Sequence, residues 1–448
     1  MRRLTHGLSL FVLGGLLCGQ TAAHATALNA VELWAQIVQP AVQSSSRPPA
    51  SSEVLHAMVH LAVYDAVVAI EGGSKPYGRP IQAPPGADVR TAVATAAYLV
   101  SRARVDAAQT NLDYLDGQYR AYMQELRADP ATDLGAKIGA QAAAQILALR
   151  ADDGFSNVVL YACSNPLPIG EFEPNGGCET QPVDVKLSQV KPYTLKHPDA
   201  FRPEGPDELT SEDYAEDFAE TRDYGRDIGS VRTPEQTDIA LFWSEHTYAQ
   251  WNRNLINLAV TKRLDVRETA RLFAMAHTAS ADAIIVGFSA KYFYRAWRPR
   301  KAIPLADLDG NPATIGDPSW KPFLSVNHPE YPSAHAFWST ALTQAVAAFF
   351  GTKRVRWTID SKASGIIQQE RTYDDVKALT REVDDARVWS GLHWRHSMRD
   401  GDEVGRRVAT YVLRHYFRER HEQESDDEGE HDADDDNHDG DQHHQHDN

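Results

Sequence analysis

The sequence has few cysteines and no excess of basic residues. Its 448 residues include three cysteines, and 45 Lys and Arg stand against 62 Asp and Glu. Because nucleic-acid-binding surfaces need clustered positive charge, this balance argues against a nucleic-acid partner. Hydrophobic residues make up 42% and charged residues 24% of the chain, a composition that excludes a mainly disordered, collagen-like or polytopic membrane protein.

Most of the net negative charge lies at the C-terminus. Residues 421–448 contain thirteen Asp or Glu, six His and no Lys or Arg, so only −4 of the formal net charge of −17 falls on the remainder. Such a segment cannot bury enough apolar surface to fold, and we predict a disordered acidic tail. Its six imidazoles could bind zinc, copper or nickel weakly; the alternative is a solvated tail that aids solubility.

The N-terminus has the pattern of a secretory signal. Two arginines follow Met1, an apolar run extends from Leu8 to Leu17, and small residues follow. We therefore predict a signal peptide over residues 1–27, with cleavage after Ala25 or Ala27, and a periplasmic or secreted mature chain. The apolar run is too short for a comfortable transmembrane helix, so no membrane span is expected after cleavage; an uncleaved anchor is the alternative.

Two cysteines remain after removal of the signal. Cys163 and Cys178 lie in a stretch rich in Gly, Pro and Asn. Because exported proteins meet oxidising conditions, we predict a disulfide between them, which would stabilise the fold by about 3 kcal/mol. No His or Cys lies at ligand spacing nearby, which argues against a metal site at this pair.

Apolar residues recur at helical spacing through most of the body, and no strand repeat is evident. The predicted fold class is all-α with long irregular loops, in a single domain over residues 28–420 whose motif-bearing half is about 233–417. Thr233 and Pro234 mark a helix start, and a long irregular segment runs from about Asp152 to Asp207. Helices are predicted over about 28–38, 54–70, 89–103, 135–150, 240–260, 266–298, 336–350, 373–389 and 403–417.

The first of three chemically suggestive segments pairs Lys291 with Arg298. Seven positions apart, the two side chains would lie within about 20° of the same helix face. Pro299 disfavours helix at Arg298 and would set its guanidinium at a helix end. Two long cations aimed at one spot suit a tetrahedral oxyanion, although Lys and Arg on a helix usually form a solvated face.

The second segment runs from His328 to His335, and two prolines in it precede a predicted helix. Ser333 and the free amides of the helix start can bind an anion, and His335 would then be placed to move a proton near neutral pH. The alternative is a helix-capping serine followed by a surface histidine.

The third segment contains Arg387 and His393. A spacing of six places them on different faces of an unbroken helix, so they converge only if the chain bends, and Ser390-Gly391 is a suitable bend. The alternative is a core histidine beside a structural arginine.

Taken in order, the three segments resemble a known signature. Lys-x6-Arg-Pro, Pro-Ser-x-His and Arg-x5-His are similar to the motifs of the vanadium-dependent haloperoxidase and type 2 phosphatidic acid phosphatase superfamily. HLAVYDAVVAI at 60–70 and AKYFYRAWRP at 290–299 resemble its bacterial haloperoxidase-like branch. The resemblance covers most of the mature chain and implies paired helical bundles.

The resemblance also implies how an oxyanion is held. Lys291, Arg298 and Arg387 would bind the equatorial oxygens of vanadate or phosphate. Ser333 and the backbone amide of Ala334 would donate hydrogen bonds to the same anion. The family usually has glycine where this chain has Ala334, whose methyl group crowds the anion but spares the amide.

Two histidines complete the implied site. His393 would be the axial ligand to vanadium, or the nucleophile in a phosphatase, and His335 would be the general acid or base. The family usually has an aspartate four residues after the axial histidine, where this chain has Ser397. Asp400, one turn further on, is a candidate substitute for that orienting carboxylate.

The resemblance leaves three functional hypotheses. The leading one is an exported vanadate-dependent haloperoxidase that oxidises bromide or iodide with hydrogen peroxide and then halogenates organic small molecules; His328 and Phe288 favour these halides over chloride. The second is a secreted acid phosphatase with a phosphohistidine at His393. The third is a non-enzymatic binder of oxyanions or metals. The sequence leaves the oligomeric state open.

Cleavage of the signal gives a direct test of export. We expect the exported chain to begin at Thr26 or Leu28, because cleavage follows small residues. N-terminal sequencing of protein from the periplasm or medium measures this. A chain that retains Met1 and stays with the membranes would contradict it.

Overall fold

The computed structural model describes residues 27–43, 47–126 and 129–419. The predicted signal, apart from Ala27, and the predicted acidic tail lie outside these residues. The described chain folds into thirteen α-helices and one short β-hairpin, which confirms the all-α prediction. The helices, α1 to α13 in chain order, are Ala30–Gln43, Pro49–Glu71, Val89–Arg104, Gln109–Leu126, Pro130–Leu149, Glu212–Gly225, Pro234–Phe242, Thr247–Lys262, Val266–Tyr294, Pro299–Ala302, Ala334–Phe349, Val376–Trp389 and Arg395–His415.

Helix α9 is the centre of the molecule. It packs against α2 on one side and against α11 and α13 on the other, while α3 joins α2 to α5. The arrangement therefore consists of two groups of helices that meet along α2 and α9. Both of these helices are long and apolar enough to cross a membrane, but their apolar windows are 89% and 100% buried inside the protein, as expected of core helices.

A predicted single helix over residues 240–260 is wrong, because the chain breaks between α7 and α8. The predicted start is confirmed: Thr233 and Gln236 form a capping box, with Pro234 in the first turn. Helix α7 then ends at Phe242 and α8 begins at Thr247. In an unbroken helix the Trp243 carbonyl would accept from the amide of Thr247. Here it accepts a hydrogen bond from Arg387 Nη1 at 3.0 Å instead.

The prediction that one helix carries both Lys291 and Arg298 is also wrong. Helix α9 ends at Tyr294, and Arg295 adopts a left-handed conformation with φ of 53°. Arg298 is extended and caps the short helix α10, which begins at Pro299. Because α9 ends before Arg298, Lys291 and Arg298 do not share a helix face. Tertiary contacts, described below, bring them together.

A disulfide crosslinks the long irregular segment between about residues 152 and 207, as predicted. Cys163 and Cys178 form a disulfide with 2.03 Å between the sulfur atoms. The same segment contains a short 3-10 helix, Val185–Gln189, which packs on α9. The segment thus covers one side of the central helix.

A two-stranded antiparallel sheet was not anticipated from the sequence. Strand β1, Trp357–Asp360, pairs with β2, Glu370–Tyr373, with Trp357 opposite Tyr373. Each strand has only four residues and alternates buried and less buried positions. Two such short strands give too few repeats to stand out from their helical surroundings.

The predicted bend between Arg387 and His393 is present. Helix α12 ends at Trp389, and Gly391 has a φ of 72°. A Cβ atom added at Gly391 would lie 2.4 Å from the carbonyl oxygen of Gly225 at the end of α6. Glycine is therefore required both for the left-handed backbone and for the close approach of the two chains.

We expect Gly391→Ala to lower the free energy of unfolding by about 2–4 kcal/mol, since left-handed strain and a backbone clash add. Gly229→Ala is the matched control, because Gly229 also has positive φ (78°) but no atom within 4 Å of its added Cβ. The control should lose only about 1–2 kcal/mol. Denaturant unfolding measures both, and equal losses would refute the close-approach argument.

Candidate active site

A single loop, His328 to Glu330, gathers two of the predicted cations. Lys291 Nζ donates to the carbonyls of Pro329 at 2.9 Å and of Glu330 at 2.8 Å. Arg298 donates to the His328 carbonyl from Nε at 2.5 Å and to the Pro329 carbonyl from Nη2 at 3.3 Å. Both side chains are almost completely buried. The loop carbonyls, and not a shared helix face, bring the two cations together.

Three buried cations face one buried carboxylate at this site. Lys291, Arg298 and Arg387 are 0%, 2% and 3% exposed, and none forms an ion pair within the described ranges. Glu330 is the carboxylate that opposes Lys291 and Arg298. Burial lowers the pKa of Arg298 to about 9 and that of Arg387 to about 9. Burial also lowers the pKa of Lys291, and the nearby guanidinium groups add to that effect. The site therefore favours an anion, which would offset the cost of burying these charges.

Two buried donors at the site, Nε of Arg387 and Oγ of Ser333, lack a hydrogen-bond partner among the described residues. The same holds for one acceptor, Oε2 of Glu330. Ser333 precedes helix α11 but does not cap it with its side chain. Unsatisfied buried donors are costly, so a hydroxyl and a guanidinium N–H beside other cations suit an oxyanion as their acceptor.

His393 is held by a carboxylate that the sequence analysis missed. Its Nδ1 lies 2.7 Å from Oε1 of Glu330, and the same oxygen accepts from the Trp394 amide at 3.2 Å. Nε2 of His393 lies 3.5 Å from Nη1 of Arg298. Burial and the neighbouring cations lower the pKa of His393. A neutral imidazole that donates Nδ1–H to Glu330 presents its Nε2 lone pair on the cation side.

The suggestion that Asp400 orients the axial histidine is wrong. Asp400 Oδ2 accepts a hydrogen bond from the hydroxyl of Tyr331 at 2.5 Å. Ser397 contributes its backbone carbonyl, which accepts from the Ser333 amide at 3.0 Å. The carboxylate that orients His393 is Glu330, which lies in a different loop, so no fixed spacing from His393 could reveal it. The one sequence feature that pointed to it is that it is the acidic residue within the His328–His335 segment.

A cavity of about 590 Å³ opens onto the cluster. His335, Arg387 and His393 line it, together with Ala334 and the two residues predicted to tune halide choice, His328 and Phe288. Arg298 Nη2 lies 2.9 Å from His328 Nδ1, and the rings of His328 and Phe288 are 5.6 Å apart. Lys291, Arg298 and Ser333 do not line the cavity; they are buried in the wall behind it.

His335 is half-buried at the cavity surface. Its Nε2 lies 3.2 Å from the hydroxyl of Thr247, at the start of α8. Burial lowers the pKa of His335, and the charges of Arg387, Lys291 and Arg298 lower it further. A neutral imidazole that lines a cavity can accept a proton from a molecule bound there.

The predicted residues therefore gather in one region, although they reach it differently from the prediction. Lys291, Arg298 and Arg387 act electrostatically on both His335 and His393. The roles assigned to each remain predictions. Glu330 and the carbonyls of the loop were not predicted from the sequence, because neither has a spacing pattern that stands out in one chain.

Comparison with known proteins agrees with this arrangement. The family model of the VCPO second helical-bundle domain matches residues 271–422, the part that holds all three motifs. Vanadium chloroperoxidase of Curvularia inaequalis is 30% identical over 179 residues, which make up 34% of this chain and 29% of that protein. The chain thus matches less than a third of this curated relative's length.

Solved structures share the fold over a much larger part of the chain. A bacterial vanadium-dependent iodoperoxidase superposes with a TM-score of 0.74 and 20% identity, covering 88% of this chain and 99% of that one. A holo-type bacterial vanadium-dependent chloroperoxidase gives 0.67 and 17%, covering 86% and 97%. These comparisons support the predicted resemblance: residues 271–422 match the second helical-bundle domain of the vanadium chloroperoxidase family, and the chain has the fold of bacterial vanadium-dependent haloperoxidases.

The Glu330–His393 contact leads to a prediction about anion binding. Glu330→Ala should weaken orthovanadate binding about 10–100-fold, because His393 loses the acceptor that orients it and raises its basicity. Glu330→Gln should restore part of the affinity, since an amide oxygen can still accept from Nδ1. Calorimetric titration of folded protein measures both.

Asp400→Ala is the matched control for that experiment. It removes a carboxylate from the same region but leaves the His393 contact intact, so vanadate affinity should stay within a few fold of wild type. If Asp400→Ala weakens binding as much as Glu330→Ala does, the structure-based assignment of the orienting carboxylate is wrong.

Proposed function

We propose that this protein is an exported vanadate-dependent haloperoxidase that oxidises bromide or iodide with hydrogen peroxide to hypohalous acid. The observation that carries the proposal is the cluster of three buried cations, Lys291, Arg298 and Arg387, next to a neutral histidine held by Glu330. The overall reaction is balanced: peroxide, halide and one proton give hypohalous acid and water.

The residues at the site fit a vanadate ion. The unpartnered Ser333 Oγ and Arg387 Nε and the remaining N–H of Lys291 would supply donors for its oxygens. Arg298, whose N–H groups already contact backbone carbonyls, His328 and His393, would contribute its positive charge. His393 Nε2 would be the protein ligand to the metal, and phosphate could occupy the same place. Bound there, vanadate would act as a Lewis acid that activates peroxide without a change of its own oxidation state.

The chain's own residues handle charge and protons. Lys291 and the two arginines are already in place before the reaction, so they can stabilise developing negative charge in a low-dielectric pocket without reorganisation. His335 faces the cavity, and its lowered pKa keeps it neutral and able to take a proton from incoming peroxide. Thr247 contacts Nε2 of His335 at 3.2 Å and restricts the orientation of the ring.

The choice of halide is proposed from two residues of the cavity wall. His328 lies at the place that resembles bromide- and iodide-oxidising members of the superfamily, and Phe288 stands where some chloride-oxidising members have tryptophan. Their rings are in contact, and His328 also accepts from Arg298. Bromide or iodide is therefore the proposed substrate.

Export is proposed from the N-terminal signal pattern and is consistent with the Cys163–Cys178 disulfide. Reaction outside the cytoplasm would also keep hypohalous acid away from the cell interior. The proposed location is the periplasm or the medium.

A secreted acid phosphatase is the second candidate, because one observation serves it equally well. His393 Nε2 is free of a carboxylate and its Nδ1–H is held by Glu330, which is the arrangement that a nucleophilic histidine needs. In that reaction His393 attacks phosphorus, His335 protonates the leaving alcohol, and water releases phosphate from the enzyme.

The deciding experiment uses the full exported chain incubated with orthovanadate. Given bromide and peroxide, it should brominate a phenol-dye reporter, and His393→Ala should lower kcat/KM at least about 100-fold, since the metal ligand is lost. The control is His415→Ala, because His415 is exposed on α13 and should leave the rate unchanged.

The same preparations without vanadate should be assayed with p-nitrophenyl phosphate. Hydrolysis that depends on His393, with no bromination at any vanadate concentration, would replace the haloperoxidase proposal with the phosphatase. If folded protein catalyses neither reaction, the non-enzymatic binder becomes the better hypothesis.

A further inference from the structure

A second cluster of histidines lies in the core, between the two groups of helices. His56 and His60 are four residues apart on α2 and therefore lie on one face of that helix. His277 projects from the facing surface of α9. All three side chains are at most 1% exposed, and none is among the residues that line the active-site cavity.

The three imidazoles are in mutual contact. The ring centroids of His56 and His60 are 4.4 Å apart, those of His56 and His277 are 4.7 Å apart, and those of His60 and His277 are 4.6 Å apart. One nitrogen from each ring can be chosen so that all three lie within 4.8 Å of one another. The rings of His60 and His277 are stacked with an interplanar angle of 8°, so at least one of them would have to turn before all three lone pairs point at one metal ion.

Most of the ring nitrogens have no hydrogen-bond partner within the described ranges. This holds for both nitrogens of His56, both nitrogens of His60 and Nε2 of His277. Each neutral imidazole carries one N–H donor and one lone-pair acceptor, and leaving them unmatched in a protein core is costly. Core histidines are normally hydrogen-bonded, so five ring nitrogens without a protein partner favour a bound ligand over ordinary core packing.

The sixth ring nitrogen, Nδ1 of His277, contacts a carboxylate, and this contact orients the ring as in metal-binding histidines. Nδ1 of His277 lies 2.9 Å from Oε1 of Glu53, which is also completely buried and is located one turn before His56 on α2. A carboxylate that accepts Nδ1–H fixes the tautomer and directs the Nε2 lone pair away from itself. Carboxylate–histidine–metal arrangements of this kind are usual around protein zinc ions.

We infer that His56, His60 and His277 form a buried site for a divalent transition metal, with zinc as the expected ion. Neutral imidazoles in a closed, apolar core match the ligand preference of zinc better than that of calcium or magnesium, which require oxygen ligands. Two histidines at i and i+4 on one helix, joined by a third from a neighbouring helix, provide three of its four ligands.

The site would have a structural role. It bridges α2 and α9, the two helices along which the helical groups meet, so bound metal would stabilise the native arrangement over the unfolded chain. Because the ligands are buried, loading would occur during folding, and exchange from the folded protein would be slow. This inference does not depend on the proposed activity, since it uses no residue of the active site.

The test measures metal in the full chain produced with added zinc and then dialysed against a chelator. Wild type should retain about one zinc per chain, because a closed structural site binds one ion. His60→Gln and His277→Gln should lose it, and their melting temperatures should fall. His415→Gln, an exposed histidine on α13, should keep the metal. All four proteins carry the same six histidines in residues 421–448, so the acidic tail cannot cause a difference between them.

A measurement on wild type covers the case in which the variants do not fold. Zinc-edge X-ray absorption should show a nitrogen-rich shell of imidazoles at about 2.0–2.1 Å. The inference is overturned if dialysed wild type holds no zinc, if the zinc has an oxygen-dominated shell, or if folded His60→Gln and His277→Gln retain as much metal as wild type. Loss of zinc with unchanged bromination would leave the proposed function standing.

Discussion

The burial of Lys291, Arg298 and Arg387 against one carboxylate is the constraint on which the site depends. Burying a charge without a partner costs several kcal/mol, so three buried cations, of which Glu330 opposes Lys291 and Arg298, favour an anion at the site. The lowered pKa values of Arg298 and Arg387 have the same cause, because burial destabilises their charged forms. A vanadate or phosphate ion is the kind of ligand that satisfies it, and the unpartnered Ser333 hydroxyl and Arg387 Nε are consistent with such a ligand.

Loops and helix ends, more than helix faces, hold the three cations in place. Lys291 lies in the last turn of the central helix, Arg298 lies beyond a left-handed residue, and both are held by carbonyls of the His328–Glu330 loop. Arg387 is anchored by the Trp243 carbonyl, which is available because α7 stops there. Where a helix ends, backbone carbonyl oxygens are no longer used within the helix and can accept hydrogen bonds from side chains. These carbonyls hold the cations in place but carry no negative charge that would neutralise them.

The sequence predicted the helical class, the disulfide and the region in which the candidate residues gather. It did so because helical periodicity, cysteine placement and local motifs are short-range properties. Two predictions were wrong: the single helix from 240 to 260 and the shared helix face of Lys291 and Arg298. Local helix propensity does not show that the Trp243 carbonyl accepts a hydrogen bond from Arg387, which is far away in the sequence. Glu330 was missed for the same reason: its partner His393 is 63 positions away.

The sequence by itself therefore determined the residue types of the site: three cations, two histidines, a serine before a helix, and a glycine at the bend between Arg387 and His393, where a side chain would not fit. Tertiary structure alone decided which carboxylate orients His393, which groups line the cavity and which stay in its wall, and that His56, His60 and His277 meet in the core. Those outcomes depend on contacts between segments far apart in the chain, and a contact of that kind leaves no spacing pattern in either segment.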